Sequence, residues 1–433
     1  MSDMDTDTFI LTVDSLSYGG SGVGRREDGK VVFVPMVIPG EKIRARVVKE
    51  YSKYVNASLV EIIDESPGRQ KPRCPIFDSC GGCDWQHMPY QDQLQWKHQI
   101  LQAEITKTTG AFPELVYPIV PSSQTYGYRG YARIQCSFDP IFKMGFFQKK
   151  SRNIAAFDSC PILHPLIQNT LSSLAAILRT FPIYSLYSLE IHAPGEDVLV
   201  SARSRGPAKP GDIKIVNTIY NDIDIAGLSF VVFKPQRRDY VLGQRYYRYT
   251  VHVLDKLIEL SGGLSGFVQA NMQVNHDMIK HVMELAGGSK KIIDLYSGNG
   301  NFSIPLALVG DEVRAIERSQ LLVSFGKKNA KKNQLGNVRF LCLDAKHALQ
   351  SIINEAVQFD TIVLNPPRQG VKDILEMIPL STASKIIYIS CNPTTLARDL
   401  AYLVDHGFNM KSIRMFDMFP QTYHIESVSL LQR

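Results

Sequence analysis

Apolar and polar positions along the chain pass through three regimes. From about residue 8 to 66 they alternate over short stretches. Phe9-Ile10-Leu11-Thr12-Val13, Lys30-Val31-Val32-Phe33-Val34, Lys42-Ile43-Arg44-Ala45-Arg46-Val47 and Ala57-Ser58-Leu59-Val60-Glu61-Ile62 carry β-type patterning. Gly19, Gly20, Gly22 and Gly24 punctuate a turn beside Arg25 and Arg26. So few strands close naturally as a five-stranded barrel of OB type. Residues 90–110 then show helical apolar spacing without breakers, and Gly110 fits the stop.

The middle regime is mixed. Tyr131-Ala132-Arg133-Ile134-Gln135-Cys136 and Lys143-Met144-Gly145-Phe146-Phe147 read as strands. Residues 165–179 read as a helix, and 189–193 with 198–202 as a hairpin-like pair. Arg and aromatic residues interleave at Tyr126, Tyr128, Arg129, Arg237, Arg238, Tyr240 and from Arg245 to Tyr249. Such surface either stacks bases or is ordinary sheet packing. Cys136 alternates as a core residue. In the last regime strands and helices take turns, so a parallel, doubly wound sheet is expected. The pattern divides the chain into residues 1–68, 69–262 and 263–433, with helix 90–110 as a candidate to pack on the last of these.

Composition narrows the class. A chain of 433 residues suits two or three domains. It has no apolar run of membrane-spanning length. The start, Met1-Ser2-Asp3-Met4-Asp5, is unlike a signal or transit peptide, so a cytoplasmic protein is expected. The net charge of +6 is modest, but Lys42, Arg44, Arg46, Lys49 and Lys53 cluster, which fits a polyanion. The same residues also suit a protected edge strand. Seven cysteines in such a chain argue for metal or catalytic use over disulfides.

Three cysteines, Cys74, Cys80 and Cys83, are spaced C-x5-C-x2-C with Gly81 and Gly82 between the last two. This is a metal-ligand pattern. Cys160-Pro161 supplies the best fourth ligand, because Cys-Pro ends such runs. Thiolates alone suit zinc or an iron–sulfur cluster. Structural zinc uses two C-x2-C pairs and only one exists here, which favours a [4Fe–4S] cluster. His87 nearby is expected to pack or cap.

In the last third, Lys291-Ile292-Ile293-Asp294-Leu295-Tyr296 is a buried strand followed by the turn Ser297-Gly298-Asn299-Gly300-Asn301-Phe302. Its glycines allow a ligand close to the backbone. The next strand ends at Glu317, where a carboxylate can bind a ribose hydroxyl pair. The third glycine of a dinucleotide fingerprint is absent, since Ser303 stands there. Asp344 and Asn365-Pro366-Pro367-Arg368 put polar groups at two further strand ends, the arrangement of an S-adenosylmethionine site. Cys342 reads as strand core. Finally Ser390-Cys391-Asn392-Pro393 follows the strand Lys385-Ile386-Ile387-Tyr388-Ile389. A thiol past such a strand end becomes a nucleophile if its surroundings lower its pKa; otherwise it is a buried structural cysteine.

These motifs, with Phe267-Val268-Gln269-Ala270-Asn271 and Phe419-Pro420-Gln421-Thr422-Tyr423-His424-Ile425-Glu426, resemble the RNA (uracil-C5)-methyltransferase family. The closest branch is the RumA/RlmD-like one acting on 23S rRNA. The N-terminal stretch resembles the TRAM domain through its glycines, Val34-Pro35 and Pro39-Gly40-Glu41. The resemblance implies a TRAM barrel, a central α+β region with a [4Fe–4S] cluster on Cys74, Cys80, Cys83 and Cys160, and a Rossmann-like methyltransferase domain. It implies Cys391 as nucleophile, Glu426 as base, and cofactor contacts from Gln269, Tyr296, Asn301, Glu317, Asp344 and position 365. The transfer-RNA branch usually lacks the barrel and the cysteine run, so ribosomal RNA is the expected partner of a monomeric enzyme. One departure stands out: the family has Asp where this chain has Asn365. Alternatives are therefore a tRNA enzyme, an RNA-binding assembly factor with impaired catalysis, or an amino-methyltransferase marked by Asn-Pro-Pro. Cys391 and Glu426 speak against the last.

Overall fold

The computed structural model describes residues 8–433 apart from 234–236, 265 and 267. The expectations on residues 1–5, Gln236 and Phe267 lie outside the described residues.

The alternating N-terminal stretch forms one sheet in the spatial order Thr8–Thr12, Lys42–Glu50, Tyr54–Asp64, Val31–Val34, Gly22–Arg25, Ser15–Leu16. The first and last segments are one kinked strand. Thr8–Thr12 pairs with Lys42–Glu50, while Ser15–Leu16 pairs with Gly22–Arg25, so the sheet returns to its start as a barrel. Alternate residues fill it: Leu11, Val13, Val32, Val34, Val37, Ile43, Ala45, Val55 and Ala57 form its core. Gly24 is required at the seam, because a Cβ there would lie 2.3 Å from the Thr12 carbonyl.

A second sheet of seven strands runs Ile154–Ala156, Lys143–Phe147, Tyr131–Ser137, Leu186–His192, Leu199–Ser204, Gly227–Val232, Arg238–Gly243. The helices Pro165–Thr180 and Pro210–Asp222 contribute Ile167, Leu171, Leu174, Val216 and Ile219 to its core. Cys136 is buried there, as its alternation predicts. The hairpin Tyr246–Val253 and Lys256–Gly263 instead shares a core with helices Met272–Leu285 and Gln320–Lys332.

The third sheet holds the site. Its order is Val338–Cys342, Glu312–Glu317, Lys291–Leu295, Thr361–Leu364, Lys385–Ser390, Glu426–Gln432, Asn409–Phe416, Val116–Val120. The first five are parallel; the three inner ones, Lys291–Leu295, Thr361–Leu364 and Lys385–Ser390, are buried on both faces, as central parallel strands require. Glu426–Gln432 runs antiparallel to Lys385–Ser390. Chain order reverses between Lys291–Leu295 and Thr361–Leu364, which opens a crevice at their C-terminal ends. Val116–Val120 adds an edge strand that the apolar pattern did not predict.

Helix Tyr90–Thr109 ends at Gly110, left-handed at φ 68°. Its Ile100, Leu101 and Ile105 pack with Leu396, Leu400 and Leu403 of helix Pro393–Asp405. Fully buried Lys97 binds Asp417 at 2.5 Å, and the Tyr90 hydroxyl donates to the same carboxylate at 2.8 Å. Breaking such a pair would strand a buried charge at a cost of about 3–5 kcal/mol. The segment from Asp417 onward is thus anchored to the helix.

Two expectations need correction. Cys342 is exposed, because it ends the outermost strand of the sheet; its Sγ lies 3.5 Å from the Arg318 carbonyl. Tyr128, Tyr247 and Tyr249 are buried and pack in the interior, whereas Tyr246 and Tyr240 remain exposed. Among the described residues no helix is long and apolar enough to cross a membrane.

Candidate active site

At the topological reversal lies a cleft of about 470 Å³. Val268, Gln269, Tyr296, Ser297, Gly298, Asn301 and Glu317 line one end; Asn365, Arg368, Cys391, His424 and Glu426 line the other. The first end is built around the glycine turn. Tyr296 leaves its strand at φ 66°, a left-handed conformation that costs a non-glycine residue energy and concentrates at ligand sites. Gly300 (φ 95°) is needed for contact, since a Cβ would meet Phe340 Cζ at 2.7 Å and Ile304 Cγ1 at 2.9 Å. Glu317 accepts from the Gly298 amide (3.2 Å) and the Ser319 amide (2.8 Å), which fixes its carboxylate beside the turn.

Not every expected cofactor residue is free. The Asn301 amide group is occupied by Tyr249 (3.0 Å) and Asn275 (3.0 and 2.8 Å), so it braces the turn. Asp344 does not line the cleft. It caps helix Ala345–Asn354, accepting from the His347 amide at 2.9 Å, and hydrogen bonds from His347 hold its carboxyl below the usual range. It still lies close enough to help burial and Asp373 push the Tyr296 phenol up to about 12. Beneath the turn, Asp294 Oδ1 and Ser297 Oγ are buried without a partner among the described residues. Unmet buried polar atoms of this kind suit a site that takes a polar ligand.

The second end is assembled across the sheet. Ser390 lies opposite Ser427 in the antiparallel pair, so Cys391 and Glu426, one step farther, emerge at the same edge. The Asn392 amide donates to Ser390 Oγ (3.2 Å), and the Asn392 side chain caps helix Pro393–Asp405. Asn392 Nδ2 and Thr395 Oγ1 both donate to the Arg368 carbonyl (3.0 and 3.1 Å), tying the 365–368 loop to the cysteine turn. Burial lifts the Glu426 carboxyl to about 8 against the pull of Arg368. Burial and the Glu426 charge raise the Cys391 thiol; Arg368 lowers it, partly by a hydrogen bond. Burial, with Arg368, Lys97 and Arg129, holds His424 down to about 4, so its ring stays neutral. A thiol, a carboxyl near neutrality and the Arg368 cation thus share one end of the cleft.

Cys74, Cys80, Cys83 and Cys160 line a separate small cavity with Phe77, Phe146, Phe157 and Ile162. All four are free thiols. Burial pushes Cys83 up to about 12 and Cys160 up to about 11, and charges on neighbouring cysteines of the set add to both shifts. Thiols so placed ionise only with a positive partner. The Gly82 amide already points at Cys80 Sγ (3.4 Å). As the side chains stand, no group of three or more His, Cys, Asp or Glu among the described residues could hold a metal ion. His87 is not in the cavity lining; its ring packs against Phe77 at 5.5 Å.

Known families share these stretches of the chain. Residues 89–433 match the tRNA (Uracil-5-)-methyltransferase family, and residues 6–60 match the TRAM domain. This chain belongs to the uracil-5-methyltransferase family. As a member it methylates uracil at C5 using S-adenosylmethionine. A 23S rRNA (uracil(1939)-C(5))-methyltransferase RlmD of Xanthomonas axonopodis pv. citri is 32% identical, covering 99% of this chain and 98% of its own. The RlmD of Alkalilimnicola ehrlichii is 30% identical over 98% and 96%. The solved tRNA (uracil-54, C5)-methyltransferase of Pyrococcus abyssi, in complex with S-adenosyl-L-homocysteine, shares the fold. Its TM-score is 0.76 at 23% identity, covering 98% of this chain and all of that one. Because a tRNA enzyme is matched end to end, the barrel does not separate ribosomal from transfer-RNA enzymes.

The uracil-5-methyltransferase cleft also contains residues that carried no individual role in the sequence. Arg368 and His424 sat inside motifs already noted. Outside the cleft lining, Tyr18 had no signal at all: it comes from the barrel, and its hydroxyl donates to the Cys391 carbonyl at 3.3 Å.

Proposed function

We propose that this uracil-5-methyltransferase modifies a uridine of 23S rRNA, with Cys391 as nucleophile and Glu426 as base. The observation that carries the reading is the meeting of Cys391, Glu426 and Arg368 at one end of the cleft whose other end holds Glu317 and the glycine turn. Uracil C5 is a poor nucleophile. The Cys391 thiolate adds to C6, forming S–C6 while the C5=C6 electrons move toward O4. The resulting C5 nucleophile attacks the donor methyl; C5–CH3 forms, the methyl–sulfonium bond breaks, and S-adenosylhomocysteine leaves. Glu426 then takes the C5 proton, and the electrons re-form C5=C6 and expel the thiolate. Arg368 stabilises the thiolate at both ends of the sequence. Gln269, Tyr296, Asn301 and Glu317 hold the donor or brace its turn, with Asp344 at the periphery. The target base must be splayed out of its stack to enter. The relatives' named target is the reason for choosing ribosomal RNA.

Cys74, Cys80, Cys83 and Cys160 suit a [4Fe–4S] cluster better than zinc. All four line one cavity, and only one C-x2-C pair is present where structural zinc uses two. The cluster would supply a cross-link between the 74–83 loop and Cys160. Anaerobically purified protein should carry about four irons per chain. Stoichiometric zinc without iron would overturn this assignment.

The test of function is transfer of tritiated methyl to unmodified 23S rRNA, with a tRNA transcript in parallel. Glu426→Gln should methylate once and then remain bound as a denaturation-resistant protein–RNA adduct. Normal turnover by that variant, without adduct, would assign the base elsewhere.

A further inference from the structure

The 17–21 turn of the barrel reaches the reacting end of the cleft. Hydrogen bonds from the Ser17 amide and Oγ to the Ser21 carbonyl (2.9 and 3.1 Å) shape it. It is docked specifically. The buried indole of Trp85 donates to the Gly20 carbonyl at 3.2 Å. Gly20 is left-handed (φ 84°), and a Cβ there would lie 3.0 Å from Tyr423 Cδ1 and 3.3 Å from Asp84 Cβ. Only glycine fits this approach without strain. Leu16 and Ile38 of the barrel belong to the same apolar cluster as Leu396 of helix Pro393–Asp405 and Ile425, which precedes the strand of Glu426.

This docking brings Tyr18 against the turn of Cys391 and the loop before Glu426. Its hydroxyl donates to the carbonyl of Cys391, one residue beyond the last sheet-paired position Ser390. Its ring meets Tyr423 edge-on at 5.5 Å and 88°, three residues before Glu426. One side chain therefore touches both the nucleophile's turn and the loop that leads to the base. We propose that the barrel completes the catalytic centre: Tyr18 is a positioning residue that fixes the placement of Cys391 against Glu426. Burial, with the nearby Tyr423, Cys391 and Glu426, pushes the phenol up to about 12, so it remains a donor throughout the working pH range. Errors of about 1 Å in such placement can cost a hundredfold in rate.

The inference rests on Cys391 acting as the nucleophile, and the experiment separates the two. The probe is a 23S rRNA transcript made with 5-fluorouridine, which halts the reaction at the covalent adduct because C5 carries no removable proton. Adduct formation is followed in single turnover and normalised to protein that binds S-adenosylmethionine, which corrects for any misfolded fraction. Tyr18→Phe removes only the hydrogen bond. It should slow adduct formation about tenfold, while the Kd values for S-adenosylmethionine and for the transcript stay within twofold of wild type. Tyr18→Ala, which also loses the contact with Tyr423, should be slower still. Wild-type adduct rates in both variants would overturn the positioning role, as would a defect confined to RNA affinity. Absence of adduct from the wild-type protein would overturn the nucleophile assignment itself.

Discussion

The two ends of the cleft were built by different means. The glycine-turn end is almost entirely local: Tyr296 to Phe302, then Glu317 on the adjacent strand, with backbone amides of the turn fixing the carboxylate. The Cys391 end draws on Arg368, Cys391, the 419–426 loop and Tyr18, segments far apart in the chain. Glu426 and Arg368 shift the Cys391 thiol in opposite directions, whereas at the first end backbone amides hold the Glu317 carboxylate in place. A site that binds can be encoded by one turn. A site that also moves protons needs charges of opposite preference forced together, and only a fold can do that.

The comparison is broken most severely by Cys391→Ala. Turnover should fall at least about 10⁴-fold, while S-adenosylmethionine affinity, carried by the other end, changes less than twofold. Isothermal titration beside a methylation assay reads both. Loss of donor binding would mean that the two ends are not separable.

The next effect is on pH. Glu426 must be ionised to accept the C5 proton, and burial lifts its carboxyl to about 8. As pH falls below that value the carboxyl keeps its proton and the base is lost. The raised Cys391 thiol acts in the same direction. The rate should therefore drop about tenfold or more per pH unit on the acid side of pH 8. A rate profile flat across pH 6 to 9 would remove Glu426 from the proton transfer.

The smallest effect sharpens the boundary between the ends. Asn365 lines the Cys391 end next to the glycine-turn strand, its backbone N–H donating to the Leu295 carbonyl at 3.4 Å. Asn can accept the uracil N3 hydrogen bond but without the charge assistance of Asp, which roughly doubles such a bond. Asn365→Asp should raise kcat/KM about tenfold, corresponding to ~1.4 kcal/mol. A slower Asp form would mean that Asn is adapted to this pocket. Activity only in the Asp form would make the chain as written an impaired enzyme.

Some of this was legible because it depends on local periodicity. The barrel strands, helix Tyr90–Thr109 with its Gly110 stop, and the strand–turn units at Tyr296 and Cys391 all follow from it. The cysteine spacing named three residues, and the Cys160-Pro161 pair a fourth, that line one cavity. Local pattern failed where neighbours decide the outcome. Cys342 alternates like a core residue but ends an edge strand, so nothing covers it. Tyr128 sits beside Arg129 as a base-stacking residue would, yet it is buried with its hydroxyl donating to the Pro420 carbonyl at 3.0 Å. Asp344 occupies a strand end, but its carboxylate caps the following helix.

By itself the sequence determined the element types, the methyltransferase motifs and the identities of the groups able to react, because period, turn chemistry and side-chain type are properties of short stretches. Only the tertiary structure decided that Glu426 meets Cys391 in one cleft, that Arg368 acts on both and that Tyr18 arrives from the barrel. Those placements come from sheet register and from burial shared by distant segments. Desolvation, which brings the Glu426 carboxyl near neutrality, exists only once those segments have closed around it.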